Sequence, residues 1–490
     1  MTEVRLGTRT GRWVLAASVL GSSVAALDAT VVNVALPAVR RDLGGGMAGL
    51  QWIVTGYLLT LAAFILLGGS LGDRYGRRRV FVIGICWFAL SSLLCGVAPN
   101  VGLLTAARAL QGVGGALLTP GSLAIIEASF HPDDRGRAIG LWSGLGGVAT
   151  AVGPPVGGWI ISAVSWRLIF LLNLPLGLVT VLVALRHVPE SRDEQMARGI
   201  DFAGAILGVA GLAAVTYALI EAPGGHGRGR VLAAGAVGVA ALVAFGVTEM
   251  RSPHPMLPLE IFRSRLFTFT NVVTFVLYGA LGVTFFLFVV QLQTSLGYSP
   301  GLAGTALLPI TAIMFVGSSR AGALAQRIGP RIPMTVGPLV VGAGLLLLSR
   351  VGAGSGYLTG VLPGVVIFGV GLALTVAPLT ATVLAAADVH HAGIASGVNN
   401  AVARVGGLLA VAVLPAVAGL SNAHGPAAFS RGFRNAEHIA AALAFAGGLI
   451  AWLTVRREAP LSEPFVREQH CSVGAPPLRP RGYEVAAADA

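Results

Sequence analysis

The stretch Gly69–Ser70–Leu71–Gly72–Asp73–Arg74–Tyr75–Gly76–Arg77–Arg78–Arg79 decides how the rest of this chain is read. Apolar runs at 51–71 and 80–97 flank it. Each is close to the roughly 20 residues that a helix needs to cross a bilayer. The stretch is therefore a tight turn between two membrane-length helices. It carries Arg74, Arg77, Arg78 and Arg79 within a few residues. A Lys/Arg excess in a short loop marks the cytoplasmic side, so this turn predicts an orientation for the whole chain.

Composition agrees with that reading. Of 490 residues, 55% are hydrophobic and 11% are charged, against about 25% charged in soluble domains. A soluble core of this size would have too little charge to cover it. The net charge of +12 comes entirely from arginine. These arginines sit in short loops between apolar runs, which is topology charge and not a nucleic-acid stripe. Cys86 and Cys95 fall inside a span and Cys471 in the tail, so no disulfide framework is expected. The first apolar run lacks a small-residue cleavage site and is read as a retained span.

Runs of spanning length number fourteen: 13–36, 51–71, 80–97, 101–125, 138–162, 168–186, 203–221, 231–249, 267–290, 301–321, 333–349, 359–384, 392–418 and 436–455. With both termini cytoplasmic, the inner loops and flanks hold more than twice as many arginines as the outer ones. The predicted fold is an all-α membrane protein. A weak repeat adds internal symmetry. Gly322–Ala323–Leu324–Ala325–Gln326–Arg327–Ile328–Gly329–Pro330–Arg331 echoes the opening turn, with Gln326 where Asp73 stands. Repeated halves place a binding site near the midplane between them. The expected division is a six-helix lobe at 1–199, an inserted hairpin at 200–258, a second six-helix lobe at 259–457 and a disordered tail at 458–490.

The opening turn reads G-x-L-x-D-R-x-G-R-R and resembles the signature loop of the major facilitator superfamily. Further resemblances run through most of 13–455. Leu27–Asp28–Ala29–Thr30–Val31–Val32–Asn33 is similar to a first-span motif of drug–proton antiporters. Arg108–Ala109–Leu110–Gln111–Gly112 is similar to the fourth-span motif, whose arginine the resemblance links to proton coupling. Gly153–Pro154–Pro155–Val156–Gly157–Gly158 is similar to the antiporter motif of the fifth span, with Ala149 where a leading glycine is usual. Together they resemble the fourteen-span drug–proton antiporter branch, the EmrB/QacA type.

The residues carry their own argument. A carboxylate inside a span is costly and is a functional hypothesis by default. At 1.5 Å per residue, Asp28 lies roughly 12 Å and Arg108 roughly 10 Å below the outer ends of their predicted helices. Equal depth predicts a buried Asp28–Arg108 contact, direct or through water. An adjacent arginine favours the ionised carboxylate and burial favours the neutral acid, so a site balanced between them can exchange a proton. Gly153, Pro154, Gly157 and Gly158 predict a kinked, side-chain-free helix face that seals or hinges against the opposite lobe. Gly69, Asp73, Arg74, Gly76 and Arg77 are expected to form a cytoplasmic latch. The superfamily's arrangement implies that its partner is the helix starting near Ala392, after Asp388, His390 and His391. Asn33, Tyr57, Gln111, Tyr278, Gln291 and Gln293 are candidates for the lining of a substrate cavity.

Arg404 has no acid near it in the second lobe, where Glu437 is placed at an outer edge. It is expected to meet backbone carbonyls, Asn399 or Asn400, or an anionic group of cargo. Proton chemistry is accordingly expected in the first lobe, with Glu221 in reserve for attracting cations at the outer mouth. No phosphate-binding glycine–lysine loop, catalytic triad or metal cluster is visible, so neither an enzyme nor a cofactor is expected. The resemblance implies a proton-coupled exporter of small lipophilic molecules in the cell membrane. Its partners would be cargo, protons and the bilayer, with no nucleic acid and no obligate protein partner. A lipid or glycolipid exporter and a non-transporting sensor or scaffold stand as alternatives.

Overall fold

The computed structural model describes residues 4–192, 201–224, 227–253, 255–386, 392–421, 423 and 425–455. Within them, fourteen helices are long and apolar enough to cross a membrane. They are α1 (Arg9–Leu43), α2 (Met47–Tyr75), α3 (Arg77–Val97), α4 (Val101–Ser129), α5 (Pro132–Ala163), α6 (Leu168–His187) and α7 (Phe202–Glu221). The series continues with α8 (Arg228–Arg251), α9 (Arg265–Ser295), α10 (Pro300–Ile328), α11 (Arg331–Leu348), α12 (Tyr357–Ala385), α13 (Ala392–Val417) and α14 (Pro426–Thr454). In lipid every backbone polar group must be satisfied internally, and helices do this within one segment. Their starts are capped locally. Thr8, Asn100, Asp201, Ser264 and Ser299 each accept a first-turn backbone N–H.

Several boundaries differ from the sequence expectation. Helix α1 runs seven residues past 36, to Leu43, and α14 begins ten residues before 436, at Pro426. Polar or proline-bearing turns at these ends do not stop a helix whose neighbours extend as far. Helix α6 breaks at Leu172 and α10 after Thr305. Asp388, His390, His391 and the tail after Val455 lie outside the described residues.

Packing repeats along the chain. In the first part α1 lies on α5 and α6, α4 on α2 and α3, and α3 on α6. The same pattern recurs eight spans later: α9 lies on α13 and α14, α12 on α10 and α11, and α11 on α14. The α2–α3 turn and its echo share a geometry. Gly76 (φ 112°) and Gly329 (φ 83°) both take a backbone conformation that favours glycine. Helices α7 and α8 pack chiefly on each other and reach α2 and α13 through α7. Trp52 Nε1 donates to Glu221 Oε1 at 3.0 Å across that contact.

The chain starts on one face, called the N-terminal face, and alternate helices lead to the distal face. Across the seam between the two packing groups, α2 lies on α13 along its length. Gln51 Nε2 donates to Val411 O (2.7 Å) and Ala412 O (3.1 Å) near the distal face. Leu66 packs beside Val398 nearer the N-terminal face. Helix α5 behaves differently. Its distal end is pressed onto α10, whereas a side chain at Gly140, Gly144, Gly146 or Gly147 would meet no atom within 4 Å. The seam is thus closed at the distal face, while the half of α5 nearer the N-terminal face leaves these four glycines without a neighbouring atom among the described residues.

Candidate functional site

Asp28 and Arg108 are 4% and 1% exposed, and Arg108 Nη1 donates to Asp28 Oδ2. The contact is direct. It forms although the depths counted from the helix ends differ, since α1 runs on to Leu43 and leaves Asp28 roughly 22 Å from that end, against roughly 10 Å for Arg108 from the start of α4. Arg108 Nε also donates to Ile53 O at 3.3 Å, and its guanidinium lies 4.3 Å from the centre of the Tyr57 ring. Cation–π contact of this kind gains strength when the charge is desolvated. The other carboxylate oxygen, Asp28 Oδ1, accepts from Gln111 Nε2 (2.9 Å) and Asn173 Nδ2 (3.1 Å). Both amides also donate to Ser92 Oγ, at 2.9 and 2.8 Å.

The ion pair therefore sits in a network drawn from α1, α2, α3, α4 and α6. Every oxygen of Asp28 has a donor, which is what a buried charge requires. Sequence reasoning placed Gln111 in a cavity and did not assign Ser92 to the site. A serine in an apolar span has no signature that separates Ser92 from its neighbour Ser91. Asn173 was not assigned to the site either, since an amide on a span has no signature of its own.

A small void of about 20 Å³ touches Asp28, bounded by Val31, Gly153, Gly157, Ile160, Leu172 and Asn173. Holding one water needs about 10–15 Å³ on this measure, so one water fits beside the carboxylate. The glycines keep α5 this close. A Cβ at Gly153 would lie 2.6 Å from Thr30 Oγ1, and one at Gly157 would lie 2.3 Å from Val31 Cγ1. Gly158 faces the other way, where a Cβ would come within 2.3 Å of Pro300 O. Gly304 of α10 answers it, 2.1 Å from Pro154 O on the same construction. The Gly–Pro face thus serves α1 on one side and α10 on the other.

The arginine-loaded turn is tied within itself: Asp73 Oδ1 accepts from Arg77 Nε at 2.7 Å, across the turn made by Gly76. Glu190, just after α6, accepts from the backbone N–H groups of Arg78 (3.0 Å) and Arg79 (3.2 Å) at the start of α3. An anion there meets the positive end of that helix. Gly69 packs beside Pro120 of α4, and Arg74 lies over the Tyr75 ring.

The cavity candidates scatter. Tyr57 and Gln111 are buried around the ion pair. Gln291 is fully buried and donates to Val351 O (2.8 Å) and Ser430 Oγ (3.0 Å), fastening α9 to the neighbouring distal turns. Gln293 donates to Val34 O at 2.9 Å and ties α9 to α1. Asn33 Oδ1 is buried without a hydrogen-bond partner among the described residues. Tyr278 and Arg404 do line an open space, a cavity of about 170 Å³ between α9, α12 and α13. Glu221 is engaged by Trp52.

Glu437 is not at an edge. Because α14 starts at Pro426, it lies eleven residues inside the helix, roughly 16 Å along it. It is 0% exposed, accepts from Thr284 Oγ1 at 3.0 Å, and its Oε1 has no partner among the described residues.

The Major Facilitator Superfamily profile matches residues 18–411. The chain is 37% identical to the puromycin resistance protein of Streptomyces alboniger over 493 residues, covering 96% of this chain and 95% of that one. It is 36% identical to the tetracenomycin C resistance and export protein of Streptomyces glaucescens over 412 residues, covering 83% and 76%. Among solved structures, a POT family transporter in complex with 5-aminolevulinic acid superposes with a TM-score of 0.69 at 13% identity, covering 92% of this chain and 98% of that chain. That likeness speaks for the fold. With fourteen spans, a packing pattern that recurs and relatives of nearly full length, this multi-pass membrane protein belongs to the Major Facilitator Superfamily.

Proposed function

We propose that this protein exports small lipophilic drugs or natural products across the cytoplasmic membrane in exchange for protons. The names of the relatives point to antibiotic export and resistance. The observation that carries the coupling is the Asp28–Arg108 pair, buried in a five-helix network beside a void that fits one water. In this conformation both carboxylate oxygens of Asp28 accept hydrogen bonds. Withdrawal of Arg108 would leave a buried carboxylate without its counter-charge, and taking up a proton from bulk solvent, relayed through a water held in that void, would relieve that cost. Release of the proton restores the pair.

Residues 1–199 and 259–457 act as the two lobes, and 200–258 as a hairpin docked on α2. The N-terminal face is cytoplasmic, with both termini on that side, and the cargo enters along the open flank of α5. Gly153, Pro154, Gly157 and Gly158 form the distal seal. Gly69, Asp73, Arg74, Gly76 and Arg77 form the cytoplasmic turn that stiffens the first lobe through Glu190. Cargo, protons and the bilayer suffice as partners.

The test is efflux of a panel of lipophilic compounds, puromycin and acidic aromatics included, from cells with and without an uncoupler, in wild type and Asp28→Asn. The variant should lose uncoupler-sensitive export. Proton-driven export at the wild-type rate in Asp28→Asn refutes the coupling role.

A further inference from the structure

The two mid-span arginines are treated very differently by their surroundings. Arg108 has a carboxylate, an amide oxygen and a backbone carbonyl. Arg404, half-buried on α13, makes no hydrogen bond or ion pair with any described residue. It borders the 170 Å³ cavity together with Tyr278, Thr380, Ser396, Asn399 and Asn400, and among the described residues no carboxylate lines that space. The expected capping of backbone carbonyls is therefore not what holds it.

We propose that this cavity receives the acidic group, a carboxylate or ionised phenol, of an exported amphipathic molecule. The inference rests on the exporter reading above and narrows its substrate class to organic anions. A guanidinium offers five N–H donors in a planar fork that matches a carboxylate. Hydroxyls at Tyr278, Ser396 and Thr380 supply the second side of the site. Asn399 is already fixed, because its Nδ2 donates to Thr274 Oγ1 (2.8 Å) and Asn271 Oδ1 (3.2 Å) of α9. The wall that carries Arg404 is thus pre-set, and a pre-set wall lowers the ordering cost of binding. The volume sets the scale. A pocket for a drug-sized ligand runs to about 300–1,000 Å³, so this cavity takes a head group and leaves the apolar body in the space between the lobes. Val383 and Ala403 give that body an apolar edge.

The experiment uses the full chain in phosphatidylcholine nanodiscs, without any gradient, and two probes that differ only in charge: 4-(1-pyrenyl)butyrate and its neutral amide. Fluorescence titration, with empty nanodiscs as blank, should show tighter binding of the anion. Arg404→Gln should weaken the anion by about tenfold or more, the usual size of a hydrogen-bonded charge contact, and leave the amide unchanged. Asn400→Asp, which places an acid beside Arg404, should have the same selective effect, so a folding defect in one variant does not decide the matter. Equal binding of both probes by the wild type, no anion binding, or equal losses for both probes in both variants overturns the proposal. So does displacement of the anion when phosphatidylglycerol enters the nanodisc, since a lipid head group would then be the occupant. Asp28→Asn should keep the charge preference. Its loss of proton-driven export reports on the exporter reading separately.

Discussion

Replacing Gly158 by alanine should shift the protein away from the conformation described here. A Cβ at Gly158 would lie 2.3 Å from Pro300 O and 2.7 Å from Pro300 C, where ordinary contact begins at 3.4 Å. The obstacle is backbone on a packed helix, so α5 and α10 must part by roughly an ångström. Overpacking of this kind costs about 1–3 kcal/mol. The clash exists only while the distal ends are together, so the whole cost falls on the distal-closed state. On a two-state equilibrium, about 1–3 kcal/mol is a 5- to 150-fold change in population ratio. Spin labels at Val164 and Leu302, which are 72% and 60% exposed, report the gap. Pulsed dipolar spectroscopy on Gly158→Ala should show a new, longer distance or a marked rise in its weight. Gly144→Ala, with nothing within 4 Å of its Cβ, is the control and should leave the distribution alone. An unchanged distribution in Gly158→Ala would refute the claim that this contact closes the seam. Gly304→Ala attacks the same interface from α10, so the two substitutions together should give less than the sum of their effects.

Other outcomes follow from the same geometry. Asp28→Ala leaves Arg108 buried without its partner and should lower stability by about 3–5 kcal/mol, read as a fall in melting temperature of the purified protein. Asp28→Asn combined with Arg108→Gln should recover part of that loss. Glu437→Gln preserves shape and the bond from Thr284, and should change stability by less than about 1 kcal/mol; a larger loss would mean that an ionised carboxylate is required there. Gly76→Ala forces a left-handed residue at φ 112° and drives a methyl to 2.7 Å from Glu190 Oε1. It should cost about 1–3 kcal/mol and lower the melting temperature. Trp52→Phe removes the bond to Glu221 and should cost about 1 kcal/mol, seen as faster proteolysis of the turn between α7 and α8.

Much of the architecture was legible because the bilayer sets one length scale. Fourteen apolar runs became fourteen helices, and the turn at Gly76 and its echo at Gly329 share a geometry. The ion pair was legible because a carboxylate and a guanidinium inside apolar spans are tolerated chiefly when paired. Boundaries were less so. A helix end is decided by what the neighbouring helix offers, which is why α14 reaches back to Pro426 and carries Glu437 inward. The cavity lining was least legible. Gln111, Gln291 and Gln293 are long polar side chains on spans, and sequence does not say whether such a group turns to a void, to a carboxylate or to a stray carbonyl. Here one completes the Asp28 network and the other two fasten helices.

Apolar run length and arginine placement by themselves determined the number of crossings, their order and the presence of a charged pair in the first six. They act through desolvation, which each segment meets on its own. Only the tertiary structure decided that Asp28 is satisfied by donors from α4 and α6, that α5 is pressed onto α10 at its distal end, and that Arg404 borders open space while Arg108 does not. Those outcomes depend on which helix faces lie together, and face-to-face contact is a property of pairs that no single segment contains.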